Sequence, residues 1–178
     1  MNRFLLSLAG ALGALAVVVL FSATFIVHQT SQALVLQFGN PVRVITEPGL
    51  YFKIPVAQEV TFYDARILSL DPPAEQMILS DQKRVIVDGF ARYRITDPLR
   101  FYQSVRTEPT FVDRFGRIMN STVRGVLART DLTEVLSERR ADIMQRVQEA
   151  VTDEAKNFGV QLIDVRIGRT ELPEDVLT

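Results

Sequence analysis

The side chains equipped for acid–base or nucleophilic chemistry are few in this chain, and they are not grouped. His28 is the only histidine, cysteine is absent, and the lysines are Lys53, Lys83 and Lys156. A lone imidazole in an uncharged stretch, with no carboxylate or nucleophile beside it, reads as a spacer rather than a base. Thiol catalysis and histidine-rich zinc sites have no residues to draw on. The nine glycines are scattered instead of gathered into a phosphate-cradling loop. No catalytic, cofactor-binding or metal-binding residue is therefore assigned. An anchored hydrolase using an activated serine or aspartate is the enzymatic alternative.

Charged residues in unusual places offer recognition rather than reaction chemistry. Val60, Phe62, Asp64, Arg66, Leu68 and Leu70 alternate along one extended run, so two opposite charges interrupt an apolar row. They read either as an ion pair at a sheet rim or as a contact setting register between subunits, since burying such a pair needs good geometry. Arg114, Arg117, Arg124, Arg139 and Arg140 fall in helical sequence poor in lysine. They suit either a solvated helix face or a subunit interface, where the guanidinium fork pairs with carboxylates through two bonds. Formal net charge is -1, from 20 basic and 21 acidic residues, and no basic stripe appears, so nucleic acid is not an expected partner.

Those residues hang on three kinds of element. The first is the run from Phe4 to Val27, 24 residues without a charge. As one helix it would rise ~36 Å, enough to cross a hydrocarbon core of ~30 Å. Phe4, Leu5, Leu8, Leu12, Leu15, Val18, Leu20, Phe21, Phe25 and Val27 are its expected membrane-spanning residues. A cleaved signal peptide is the alternative, with a shorter apolar region of about 7–15 residues. Arg3 before the run and uncharged polar residues after it place the N-terminus in the cytoplasm and the rest outside.

The second kind is strand. Ala33–Phe38, Val42–Ile45 and Tyr51–Ile54 are short apolar runs separated by Gly39-Asn40-Pro41 and Glu47-Pro48-Gly49. Val60–Leu70 reads as one long strand, and so does Arg84–Ile95, with Val85, Val87, Gly89, Ala91, Tyr93 and Ile95 on one face. The third kind is helix. Asp97-Pro98 supplies a capping acid and a first-turn proline. Phe111, Phe115, Ile118, Met119, Thr122, Val126 and Leu127 form one stripe over 109–128, and Asp131 with Glu134 has capping-box spacing. Ile143, Met144, Val147, Ala150, Val151, Ala155 and Phe158 form another over 138–158, closed by Gly159. Val160–Ile167 returns to strand. Strands, then helices, then a strand give an α+β domain, a mixed or antiparallel sheet packed by helices.

The span is followed by LVLQFGNPVRVITEPGLYFKIP (34–55), DARILSLD (64–71), VIVDGFARYRITDP (85–98), LTEVLSERRADIMQRVQEAV (132–151) and GVQLIDVRIGRTELPEDV (159–176). In that order these stretches resemble the stomatin/prohibitin/flotillin/HflK-HflC (SPFH, band 7) superfamily, and within it the HflC branch. An HflK chain would carry a long glycine-rich tail before its span, whereas here the span begins at residue 4. The resemblance implies residues 1–28 as the anchor with a short cytoplasmic N-terminus, 29–171 as the SPFH domain, and 172–178 as the opening of a C-terminal helix, apparently truncated. It implies a single-pass protein of the bacterial inner membrane with its main domain in the periplasm. Such proteins co-assemble with an HflK-like partner into a large hetero-oligomeric ring or cage and regulate an FtsH-type membrane protease. They are not themselves enzymes and need no cofactor. A stomatin-like regulator of a channel or transporter shares the fold and stays open as an alternative. With the domain tethered so near the bilayer, Leu50, Tyr51, Phe52, Ile54 and Pro55 either touch the membrane surface or fill the domain core.

Overall fold

A computed structural model describes Gly13 and residues 21–131 and 140–168 of the 178-residue chain. The expected α+β order is present. Among the described residues there are ten strands, β1 to β10, and three helices, α1 to α3. The chain divides into two compact units, Met1–Ala65 and Arg66–Thr178.

In the first unit, β1 (Thr24–Val27) pairs antiparallel with β4 (Gly49–Phe52). β2 (Ser31–Gln37) is the centre of a second sheet, flanked by β3 (Asn40–Ile45) and β5 (Gln58–Asp64). β1 corrects one expectation. The apolar run does not continue as helix to Val27, because residues 21–23 are helical and Thr24–Val27 are strand. Three β-branched residues and a phenylalanine favour the extended form there. The Lys53 amide takes the Ala23 carbonyl at 2.7 Å, and the Thr24 hydroxyl donates to the Phe21 carbonyl at 3.1 Å, so the helical turn is closed off. Among the described residues no helix is long and apolar enough to cross a membrane. Val27, Ala33, Val35 and Ile45 form the core of this unit, with Phe25, Tyr51 and Val60 packed on it.

The expected turn at Gly39-Asn40-Pro41 sits one residue earlier. Gln37 faces Asn40, leaving Phe38-Gly39 as a two-residue loop, and both have positive φ, 50° and 83°. That sign pattern belongs to the I′ turn favoured in hairpins. Pro41 is accommodated because β3 is an edge strand carrying a register irregularity beside it.

In the second unit, β9 (Gly89–Ile95) lies between β6 (Leu68–Leu70) and β10 (Val160–Ile167). β7 (Glu75–Ile78) pairs with β8 (Arg84–Val87). Both long strands expected from sequence are broken. Val60–Leu70 divides into β5 and β6 around Ala65, where the two units also divide. Arg84–Ile95 divides at Asp88, whose carbonyl accepts the Gly168 amide, and the two halves change partners. The inward face nevertheless runs through the break, since Val85, Val87, Gly89, Ala91, Tyr93 and Ile95 are all buried.

α1 (Pro98–Ser104) begins as expected, with the Asp97 carboxylate accepting the Arg100 amide at 3.0 Å. α2 (Glu108–Leu127) starts at Thr107, whose hydroxyl oxygen accepts the Thr110 amide. α2 buries Phe111, Phe115, Gly116, Met119, Val123 and Leu127, so the buried stripe includes Gly116 and Val123 and leaves Ile118 and Val126 half-buried. α3 (Arg140–Lys156) buries Ile143, Val147, Val151 and Ala155 at a four-residue spacing. Glu134 lies outside the described residues, and so does the expected helix opening at 172. Phe111 centres an aromatic cluster, with ring centroids 4.8 Å from Tyr93, 5.5 Å from Phe101, 5.0 Å from Phe115 and 5.8 Å from Phe158.

Candidate functional site

The first unit is where exposed apolar surface concentrates. Strand alternation makes β1 and β4 two-faced. Phe25, Val27 and Tyr51 turn inward, while the cross-strand partners Ile26 and Leu50, and Phe52 beyond them, are exposed. The five residues expected at a membrane surface therefore divide. Leu50, Phe52 and Ile54 face solvent, whereas Tyr51 packs inward with its ring 6.0 Å from Phe25 and its hydroxyl donating to the Glu47 carbonyl at 3.0 Å. Pro55 is half-buried.

Two residues that the sequence reading missed extend this surface. Phe38, in the β2–β3 turn, is 79% exposed, and Val56 is 104% exposed. Their backbones are joined, since the Phe38 amide donates to the Ala57 carbonyl at 3.2 Å. Phe38, Ile54 and Val56 thus form an apolar tip on one pair of loops. Val56 has φ 69°, and the Ala57 amide reaches back to the Pro55 carbonyl at 2.8 Å, a tight three-residue turn of the rarer positive-φ kind. The Gln58 amide takes the Ile54 carbonyl at 2.9 Å, and the Gln58 side-chain oxygen takes the Ile54 amide at 2.9 Å. With these backbone groups satisfied internally, the tip can leave bulk water at less cost than an open loop. Charge is sparse around it. From residue 21 to 65 only Arg43, Glu47, Lys53, Glu59 and Asp64 are charged.

Of the other membrane-span candidates, Phe21 is helical and exposed, while Phe25 and Val27 lie in β1. Phe4, Leu5, Leu8, Leu12, Leu15, Val18 and Leu20 lie outside the described residues.

The candidate interface charges are not gathered into one site. Asp64 ends β5, half-buried, and Arg66 is exposed in the bend that follows. Arg114 donates to the Ser104 carbonyl at 3.2 Å and stands 5.6 Å over the Phe158 ring. Arg117 pairs with Asp113 one turn earlier, and Arg124 meets Glu75 of β7 at 2.8 Å. Three of the arginines thus serve contacts within the second unit. Arg140 opens α3, and Arg139 lies outside the described residues. His28 is exposed in the turn before β2, its amide donating to the Ser31 hydroxyl oxygen at 3.2 Å.

Comparison with known proteins gives a consistent picture. The SPFH domain / Band 7 family model matches residues 25–178, starting within β1. The chain is 28% identical over 187 residues to "Protein HflC" of Haemophilus influenzae, covering 99% of this chain and 62% of that protein. It is 25% identical over 210 residues to "Modulator of FtsH protease HflC" of Escherichia coli K12, covering 89% and 62%. An uncharacterized protein of Archaeoglobus fulgidus is 29% identical over 167 residues, covering 93% and 65%. The chain thus spans less than two thirds of the length of these relatives. A family match over residues 25–178, on antiparallel sheets packed by helices, is decisive: the chain belongs to the SPFH domain / Band 7 family.

Proposed function

We propose that this protein is a membrane-anchored, non-enzymatic scaffold subunit that co-assembles with an HflK-like SPFH partner into a large ring or cage and regulates an FtsH-type ATP-dependent protease. The family match, with relatives named for HflC and one named as a modulator of FtsH protease, carries this reading. The uncharged run from Phe4 to Ala23 retains 20 residues after β1 is subtracted. As a helix it would rise ~30 Å, a bilayer's apolar thickness. Its charge asymmetry supports a cytoplasmic N-terminus and a periplasmic domain at the bacterial inner membrane.

The apolar tip of the first unit fits such tethering. Phe38, Ile54 and Val56, with Leu50 and Phe52 on β4, would rest in the interfacial layer of the bilayer, where aromatic and aliphatic side chains are tolerated. Packing between neighbouring copies would supply most of the assembly free energy, with exposed charges such as Arg66 setting register more than strength.

Purification from mild detergent tests the assembly. The expected outcome is one large particle containing this protein, an HflK-like protein and an FtsH-type protease. Recovery of this protein alone, under conditions that keep the protease hexamer intact, would overturn the reading.

A further inference from the structure

A second surface feature lies in the other unit and has no part in the membrane reading. Beside the buried stripe of α2, the residues one position further on, Val112, Gly116, Asn120 and Arg124, border a groove of about 830 Å³. From Glu108 to Arg124 its wall follows 17 residues of helix, a rise of ~24 Å over somewhat more than four turns. The floor is apolar, built from Leu68, Pro72, Val112 and the ring of Tyr93. Gly116 shapes it: a Cβ there would stand 3.1 Å from the Pro72 Cβ, so the absent side chain is what lets the proline close under the helix. Asn120 holds the opposite lip, donating to the Pro73 carbonyl at 3.2 Å.

The rim is acidic. Asp71, Glu75, Glu108 and Asp113 line the groove against Arg117 and Arg124, a formal charge of -2 from four carboxylates and two guanidiniums. Both arginines are already engaged, Arg117 with Asp113 and Arg124 with Glu75. An anionic ligand or a phospholipid headgroup would meet the wrong sign. A groove that follows several turns of helix, with an apolar floor and an acidic rim, suits an amphipathic helix whose apolar side chains recur at three- and four-residue spacing and whose flanks are basic.

We propose that this groove is the docking site for a cationic amphipathic helix of a partner protein, about four turns long.

The test uses the full chain in phosphatidylcholine nanodiscs, with the photo-crosslinker benzoylphenylalanine replacing Ser121 on the groove wall or, as control, Gln148 on the exposed face of α3. The probes are two fluorescent 16-residue helical peptides with the same leucine face, one with lysine flanks and one with glutamate flanks. Labelling from position 121 is expected to favour the lysine peptide at least tenfold, with little labelling from position 148. The reversal Asp71→Lys, which brings the lining to a formal charge of 0, is expected to abolish that preference while leaving the circular dichroism spectrum unchanged. Equal labelling by both peptides, equal labelling from both positions, or a preference untouched by the charge reversal would overturn the proposal. So would crosslinked dimers of the chain that excess lysine peptide does not displace, since they would assign the groove to self-association.

Discussion

Val56 combines a β-branched side chain with a left-handed backbone, a conformation that costs on the order of 1–2 kcal/mol. The hydrogen bonds around Ile54, Ala57 and Gln58 hold it there and turn its side chain fully outward. Because the chain has no cysteine, a single Val56→Cys change can carry an environment-sensitive dye. In reconstituted vesicles the dye at position 56 is expected to emit at shorter wavelength than the same dye on Glu59→Cys. Spin-labelled lipids should quench it, and identical spectra at the two positions would refute membrane contact. Inside the second unit, Phe111 touches four other aromatic rings. Phe111→Ala should lower stability by about 3–5 kcal/mol in denaturant titration, the usual cost of emptying a packed aromatic site. Sequence periodicity revealed Phe111 as core, because helical spacing repeats. It missed Phe38 and Val56, because their exposure depends on two turns whose backbones meet only in the folded unit.

Strands and helices were mostly legible as elements, and their breaks were not. Asp97 announced α1 through its own chemistry, and Asp97→Ala is expected to cost about 1 kcal/mol of stability in thermal unfolding. Gly159 announced the end of the last helix, and its φ of 70° agrees. Its carbonyl also accepts the amides of Thr96 and Asp97, and a Cβ at 159 would come within 2.6 Å of the Asp97 carbonyl oxygen. Gly159→Ala therefore faces both a strained backbone and a clash, and a loss of at least about 2 kcal/mol is expected by denaturant titration. The division at Asp88 left no mark in the alternation of apolar residues, since inward positions keep their parity through it, whereas across Ala65 the buried position changes parity, from Tyr63 to Leu70. Partner choice is a long-range property, and a period of two contains no information about which strand lies alongside. The 24-residue apolar run misled for the opposite reason: hydrophobicity alone does not separate membrane helix from strand, and Thr24–Val27 is a two-faced strand in which Val27 is buried and Ile26 exposed.

At the scale of the whole molecule, each unit sets a two-stranded sheet beside a three-stranded one. β1 and β4 form a sheet of only two strands, whereas β9 is paired on both sides and covered by the aromatic core. Two-stranded sheets are marginal by themselves. Hydrogen-exchange mass spectrometry is expected to show β1 and β4 amides exchanging well before those of β9, which should open only with the whole second unit. The pairing of β9 with β10 joins Gly89 to Ile167 across all three helices. Such distant closure places the rate-limiting step of folding late, after residues 160–167 have been synthesised. Until residues 160–167 arrive, one flank of β9 stays bare and able to recruit any stray extended segment. A chaperone at that stage would shield the bare strand, and slowing synthesis just upstream of Val160 should leave more of the protein aggregated.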